Sequence, residues 1–81
     1  MAILQWNIRG LKSNYQPGLQ PLIESQNPSI ICLQETKLPT DNHEKIPGTT
    51  IPGYTSLHQI FTGGDKACGG NSIYIKNKYA L

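Results

Sequence analysis

Several residue types are scarce in this chain of 81 residues, and each scarcity excludes a class of protein. Only two cysteines occur, Cys32 and Cys68, which are too few for the several disulfides that stabilise small secreted domains. No apolar run approaches the roughly 20 residues that a transmembrane helix needs, and the first residues lack the basic and apolar regions of a signal peptide. We therefore expect free thiols, no membrane partner and an intracellular location, nuclear or cytoplasmic.

Charge and large apolar side chains are also limited. Seven Lys and Arg residues against five Asp and Glu residues give a net charge of +2, well short of the basic excess of an independent nucleic-acid-binding domain. Valine is absent, yet Leu, Ile and Phe still make up 19 of the 81 residues, above the ~20% level below which disorder is expected. The length allows one small domain, or a piece of a larger one, with a thin margin of stability.

The first 35 residues carry the pattern of a strand, a short helix and a second strand. Alternating apolar residues predict a strand at about residues 2–8, which ends at Arg9 and Gly10. An apolar stripe within residues 17–27 predicts a short amphipathic helix that starts late enough to keep Pro21 in its first turn. The continuous apolar run within residues 29–34 predicts a strand that is covered on both faces. Such a βαβ unit places its two strands parallel, with a right-handed crossover.

The rest of the chain predicts a long loop and two more strands. Residues 36–53 are rich in proline and glycine and show almost no periodicity, which favours a surface loop. Residues 54–61 and 72–76 alternate in polarity, and the glycine-rich residues 63–70 between them favour a turn. The predicted fold class is therefore α/β, a βαβ unit followed by two strands.

Two polar residues lie at the carboxyl ends of the predicted parallel strands, Asn7 and Glu35. The ligand crevice of such a unit lies beyond the carboxyl ends of its strands, so both residues are candidates for a binding site. A carboxylate suits Mg²⁺, which is usually bound by one or two carboxylates, waters and phosphate oxygens. By spacing alone, a glutamate after a strand is more often an ordinary loop residue.

The identities of these residues resemble a known family. Residues 5–11, QWNIRGL, and residues 28–37, PSIICLQETK, are similar to the opening of the endonuclease/exonuclease/phosphatase superfamily. Residues 51–54, IPGY, and residues 69–75, GGNSIYI, resemble later segments of the same group. Within it, the resemblance points to the apurinic-type endonuclease domain of non-LTR retrotransposons, as in jockey-like reverse transcriptase proteins.

The resemblance implies roles for single residues. Asn7 would position the scissile phosphate, and Glu35 would bind Mg²⁺ or Mn²⁺. Lys37 would stabilise the carboxylates without contacting the metal, although a solvated loop charge is an equal alternative for it. Trp6 would pack beside the site. Arg9 stands where many relatives with repair activity carry an acidic residue, which favours the retrotransposon group. Such enzymes nick DNA and leave a 3′-hydroxyl for reverse transcription, so DNA and a reverse transcriptase domain are the implied partners.

The resemblance also implies that part of the domain is missing. The family folds as a four-layer α/β sandwich of the deoxyribonuclease-like type, and residues 1–81 would supply its N-terminal part, with one sheet face open. Its downstream Asp-x-Asn and Ser-Asp-His motifs do not occur in this sequence. None of the remaining acids and histidines matches a catalytic position of the family, and we expect surface roles for them: Asp41, His43, His58 and Asp65. Alone, the chain is expected to be inactive or nearly so.

Two other interpretations compete with a nuclease. A non-catalytic interaction module would retain only the sheet scaffold and would bind a partner through the open face or the long loop. A phosphate-binding fragment would use the pairs Gly63-Gly64 and Gly69-Gly70. No Lys-Ser/Thr follows these glycines and no predicted helix opens after them, so the phosphate-loop signature is missing.

Overall fold

The computed structural model describes residues 2–39, 42–60 and 69–80. Within these ranges four strands form one mixed sheet in the spatial order β1-β2-β4-β3, with β1 parallel to β2 and β4 antiparallel to both β2 and β3. The predicted βαβ unit and the two later strands are confirmed. Their bounds are β1 Ile3–Asn7, β2 Ile30–Gln34, β3 Tyr54–Gln59 and β4 Asn71–Lys76.

The crossover between β1 and β2 is longer than predicted. It consists of α1 (Leu11–Asn14), a π-helical turn (Tyr15–Leu19) and α2 (Gln20–Gln26). Pro21 lies in the first turn of α2, as expected, but helical structure begins at Leu11 rather than near residue 17. The wide π turn contains Pro17, whose missing N–H would interrupt a regular helix. No helix in the described ranges is long and apolar enough to cross a bilayer.

The core lies between the crossover, the segment after β2 and one face of the sheet. The segment 36–53 is not simply a surface loop, because two of its apolar side chains are buried and its turn (His43–Lys45) is a short 3₁₀ helix. Its backbone is bound to the sheet, since the Tyr74 hydroxyl donates to the carbonyl oxygen of Gly48 at 2.8 Å. The buried apolar residues are Ile8, Leu11, Leu19, Ile31, Leu33, Leu38, Ile51 and Tyr74.

A surface role for His58 is wrong. His58 is half-buried on the core side of β3, where its Nδ1 lies 2.6 Å from the Ser72 hydroxyl and its Nε2 lies 2.8 Å from the Thr49 carbonyl oxygen. Because a carbonyl oxygen only accepts, Nε2 donates to Thr49, while Nδ1 shares a hydrogen bond with the Ser72 hydroxyl. The imidazole therefore connects the sheet to the segment above it.

The structure describes only some of the other residues for which a surface role or a free thiol was expected. His43 lies in the 3₁₀ turn with its side chain 32% exposed, and its ring centroid lies 6.1 Å from that of His58. Asp41, Asp65 and Cys68 lie outside the described residues. Cys32 is a half-buried free thiol, in agreement with the expectation for that residue.

One face of the sheet is open, as the resemblance implies. Side chains at alternate positions of all four strands point away from the core, and three large apolar ones remain exposed there, Ile3 by 63%, Leu57 by 72% and Ile73 by 43%. The register aligns the last two in one row with Gln5 and Cys32. We call this surface the open face.

Candidate functional site at the carboxyl edge

The carboxyl ends of β1 and β2 meet where β4 begins, and we call this the carboxyl edge. Asn7 lies opposite Gln34 in the register. The pairing continues beyond the strands, since the Ile8 N–H donates to the Gln34 carbonyl at 3.0 Å and the Gly10 N–H donates to the Glu35 carbonyl at 2.8 Å. Asn7 and Glu35 therefore lie at one edge, as the topology predicts, whereas their chemical roles stay predictions.

The backbone at this edge adopts conformations that are uncommon for residues with side chains. Arg9, Glu35 and Lys37 have φ angles of 52°, 53° and 56°, in the left-handed region. Conformations of this kind persist where surrounding bonds impose them, and they cluster at functional sites. Here the Thr36 and Lys37 N–H groups donate to the carbonyls of Gly70 and Gly69 at 3.1 and 2.8 Å. The turn that carries Glu35 is thus fixed from both sides.

Asn14 holds the turn after β1, a role that the sequence analysis missed. Its side-chain amide lies 2.9, 3.4 and 3.1 Å from the carbonyl oxygens of Ile8, Arg9 and Gly10. Three successive carbonyls thus face one donor group, which fixes the direction of the Arg9 backbone. No local sequence signal distinguishes this asparagine from any other residue of an exposed helix turn.

Thr36 is the buried residue of the turn that follows β2. It is 1% exposed, and its hydroxyl has no hydrogen-bond partner among the residues that the structure describes. Its carbonyl accepts from the Leu11 N–H at 2.9 Å, which connects the end of β2 to the start of α1. Gly70 packs against it so closely that an added methyl group would lie 2.9 Å from the Thr36 hydroxyl oxygen. The contact requires glycine at position 70.

A row of amide side chains crosses the open face beside the edge. The register aligns one amide residue from each strand, and the Asn71 amide donates weakly to the Gln59 side-chain oxygen at 3.4 Å. Sequence reasoning identified only the first member, because the alignment of the others depends on the pairing of β4 with β2. The row consists of Asn7, Gln34, Asn71 and Gln59.

The charges at the edge are mostly positive. Arg9 and Lys37 are exposed and flank the half-buried Glu35, and Lys12 follows in the first turn of the crossover. Among the described residues no Lys or Arg side chain lies within 4.0 Å of a carboxylate, so Glu35 is not paired with a described Lys or Arg. Within residues 2–39, 42–60 and 69–80, the edge therefore combines one carboxylate, several amides and a local excess of positive charge.

These side chains fit a partial site for a hard divalent cation. No three His, Cys, Asp or Glu side chains of the described ranges come together in a way that could hold a metal ion. Mg²⁺ nevertheless needs only one or two carboxylates when waters and substrate phosphate oxygens complete its shell. Glu35 supplies one carboxylate, and Asn7 and Gln34 supply amide oxygens nearby. A metal ion held there would neutralise charge on a phosphoryl group.

Comparison with known proteins now identifies the chain. A sequence profile of the Endonuclease/Exonuclease/phosphatase family matches residues 4–80. The chain belongs to this family. Among curated relatives, this endonuclease/exonuclease/phosphatase chain is 42% identical over 45 residues to a DNA-(apurinic or apyrimidinic site) endonuclease of Dictyostelium discoideum, covering 56% of the chain and 12% of that protein. It is 35% identical over 77 residues to Recombination repair protein 1 of Drosophila melanogaster, covering 94% of the chain and 11% of that protein.

Solved structures agree with the family and with the α/β fold. The APE2 catalytic domain of Xenopus laevis superposes with a TM-score of 0.73 at 33% identity, covering 94% of this chain and 23% of that domain. The AP endonuclease LMAP of Leishmania major gives the same TM-score at 29% identity, covering 93% and 23%. This confirms the predicted fold class, the N-terminal part of a deoxyribonuclease-like α/β sandwich. The endonuclease/exonuclease/phosphatase chain spans about a quarter of each solved domain.

The relatives refine the resemblance stated from the sequence. The superfamily is confirmed, and the curated relatives that match are named as endonucleases acting at apurinic or apyrimidinic sites and as a recombination repair protein. A retrotransposon endonuclease is not among these relatives, so they support a nuclease without supporting that subgroup.

Proposed function

We propose that this chain is the N-terminal part of a divalent-metal-dependent nuclease domain that hydrolyses phosphodiester bonds of DNA. The observation that carries the proposal is the position of Glu35. Glu35 is half-buried and directly follows β2, in a turn of left-handed backbone conformation that hydrogen bonds hold in place. It comes next after Gln34, which pairs with Asn7, in a chain that belongs to a nuclease-containing family. A DNA-acting protein of this type would work in the nucleus or cytoplasm.

Each residue of the edge has a distinct part in the proposal. Glu35 binds Mg²⁺ or Mn²⁺, and the metal stabilises negative charge on the phosphoryl group when bound. The Asn7 amide donates to the scissile phosphate without adding charge. Lys37 is held beside Glu35 by the bond from its N–H to Gly69 and steadies the carboxylate electrostatically.

The 81-residue chain is proposed to be inactive without further catalytic groups. The described residues contain one carboxylate at the edge, whereas activation of water and protonation of the leaving oxygen need additional acids and bases. The solved relatives are about four times longer than the matched part, which leaves room for such groups in the remainder of a domain.

The finer assignment is a nick in undamaged DNA of the retrotransposon type, leaving a 3′-hydroxyl for a reverse transcriptase partner. The sequence resemblance and the basic Arg9 at the edge favour it, whereas the curated relatives favour cleavage at abasic sites. Nicking assays of the gene product on duplexes with and without one abasic site separate the two. Equal cleavage of both duplexes supports the retrotransposon type, and a strict requirement for the abasic site contradicts it.

Metal binding tests the central claim. Isothermal titration with Mn²⁺ should give a binding signal that Glu35→Ala abolishes, because this substitution removes the one described carboxylate of the edge. Glu24→Ala is the matched control, since Glu24 is an exposed glutamate of α2, away from the edge. Equal titrations of the wild-type and Glu35→Ala chains would rule out the metal-ligand role.

A non-catalytic interaction module is the second candidate, and the open face favours it. Ile3, Leu57 and Ile73 expose apolar surface that a partner protein would cover. Under this alternative, Glu35→Ala leaves partner binding unchanged and substitutions on the open face abolish it.

A further inference from the structure

The carboxyl edge places two cations beside its carboxylate. The Arg9 backbone lies between the hydrogen bonds that join Ile8 to Gln34 and Gly10 to Glu35, so Arg9 is adjacent to Glu35 across the ladder. Lys37 is two residues further along the chain. Both side chains are exposed, and neither forms an ion pair with any acid of residues 2–39, 42–60 and 69–80.

These cations oppose the binding of a metal ion on its own. A divalent cation at Glu35 would add two positive charges to an edge where two described side chains, Arg9 and Lys37, are already positive. Unit charges interact appreciably within the Debye length, roughly 8 Å at physiological salt. The repulsion therefore acts at the position of Arg9, whose backbone lies next to that of Glu35 just beyond the two strands.

A phosphodiester removes this repulsion. One of its negatively charged phosphate oxygens would bind the metal. Another would accept hydrogen bonds from arginine, since the planar guanidinium suits phosphate. The turns that carry Arg9 and Glu35 are fixed by the Asn14 amide and by the bonds to Gly69 and Gly70. The two side chains are thereby held on the same edge before any ligand binds.

We infer that the divalent metal ion and the DNA phosphodiester bind this edge as a coupled pair, and that Arg9 sets the strength of the coupling. The inference rests on the proposed function of the same site and adds how the metal ion and the phosphodiester affect each other's affinity. The metal alone binds weakly, the phosphodiester raises the affinity for the metal, and by linkage the metal raises the affinity for the phosphodiester by the same factor.

The test measures Mn²⁺ affinity of the full 81-residue chain by electron paramagnetic resonance of free Mn²⁺, with and without thymidylyl-thymidine, a dinucleotide with one phosphodiester. We expect the dinucleotide to strengthen Mn²⁺ binding at least about tenfold. Arg9→Gln should strengthen binding of Mn²⁺ alone by about twofold, the factor for one charge acting on a divalent ion at roughly 8 Å in water at physiological salt. It should also reduce the effect of the dinucleotide.

Two further variants complete the design. Arg9→Asn repeats the charge removal with a residue that tolerates the left-handed region, so a change shared with Arg9→Gln reports charge rather than backbone strain. Lys78→Gln removes one exposed positive charge after β4, at the opposite edge of the sheet, and should leave both affinities unchanged.

The outcomes separate the inference from the proposed function. Equal Mn²⁺ affinity with and without the dinucleotide, or equal values for wild type and both Arg9 variants, would overturn the inference while Glu35→Gln still weakens Mn²⁺ binding. If Glu35→Gln leaves Mn²⁺ binding unchanged, the proposed metal site itself is wrong, and the inference is overturned with it.

Discussion

The Asn14 amide determines the direction of the chain where β1 ends. Its contacts of 2.9 and 3.1 Å to the carbonyls of Ile8 and Gly10 use N–H groups that a carboxylate lacks. Asn14→Asp should therefore lower the free energy of unfolding by about 1–3 kcal/mol, because an acceptor would face acceptors in a partly buried place. Urea denaturation measures the change.

Asn77→Asp is the control for this substitution. The Asn77 side-chain oxygen accepts from the Thr55 hydroxyl at 2.7 Å, so a carboxylate keeps that bond. We expect nearly wild-type stability for Asn77→Asp, and an equal loss in both variants would contradict the importance of the Asn14 donor.

At the scale of single residues, the sequence predicted the acidic and amide pair but not its supports. Asn7 ends β1 and Glu35 follows β2, so topology alone places them at one edge. Thr36 and Gln59 act through contacts with residues distant in the chain, which composition and periodicity do not reveal. Asn14 contacts carbonyls four to six residues before it, but only because of the shape of the turn after β1, which shows no periodicity.

Among the elements, the start of β4 depends on Gly70. Gly70 has φ +85°, and an added methyl group would lie 2.9 Å from the Thr36 hydroxyl oxygen and 3.1 Å from the Gln59 carbonyl oxygen. Gly70→Ala should destabilise the fold by roughly 1–3 kcal/mol through strain and overpacking. Thermal or urea unfolding detects this loss.

Gly53→Ala separates the two causes. Gly53 has a similar φ of +86°, but an added methyl group there would meet no atom within 4 Å. Its cost should be about 1 kcal/mol, the backbone penalty alone. Identical losses at positions 53 and 70 would show that the contact with Thr36 is unimportant.

The strands were more predictable than the connections between them. The apolar run of β2 and the alternation of β4 report directly on burial, and the observed bounds differ by about one residue from those predicted. The predicted start of the crossover helix was wrong. Leu11 lies in an α-helical turn and Leu19 in a π-helical turn, so the two buried residues do not share one helical period that the sequence pattern could show. The burial of Leu38 and Ile51 was missed because an irregular segment shows no period to detect.

For the whole molecule, stability should fall at alkaline pH. Burial raises the pKa of Tyr74 well above its ordinary value of 10, although the Ser72 hydroxyl opposes this in part. Above pH 10 the unfolded chain releases a proton that the folded chain retains, so the folded state loses up to about 1.4 kcal/mol per pH unit. Denaturation midpoints between pH 9 and about 11 measure the slope.

Tyr74→Phe should flatten this slope, because phenylalanine does not titrate, while lowering stability at neutral pH through the lost bond to Gly48. In Tyr79→Phe the decline should persist, since hydrogen bonding from Ser29 lowers the pKa of the exposed Tyr79 instead. An unchanged slope in Tyr74→Phe would assign the alkaline decline to other groups.

The open face should make the 81-residue chain bind hydrophobic dyes and associate with itself. Leu57→Lys removes an apolar side chain that is 72% exposed, so the dye fluorescence and the sedimentation coefficient should both decrease. The free energy of unfolding should stay within about 0.5 kcal/mol of the wild-type value. Tyr79→Lys, at 47% exposed and outside the strands, is the control and should change neither. A wild-type chain that is monomeric and binds no dye contradicts the prediction.

The position of Tyr74 in the chain has a consequence for synthesis on the ribosome. Of the described residues, the other members of the buried core all occur by Ile51, and yet the largest fully buried side chain among them arrives with β4, which inserts between β2 and β3. The βαβ unit therefore emerges with both sheet edges unpaired and its core unfilled. Until β4 has left the exit tunnel, the nascent chain is a substrate for chaperones and is prone to mispairing.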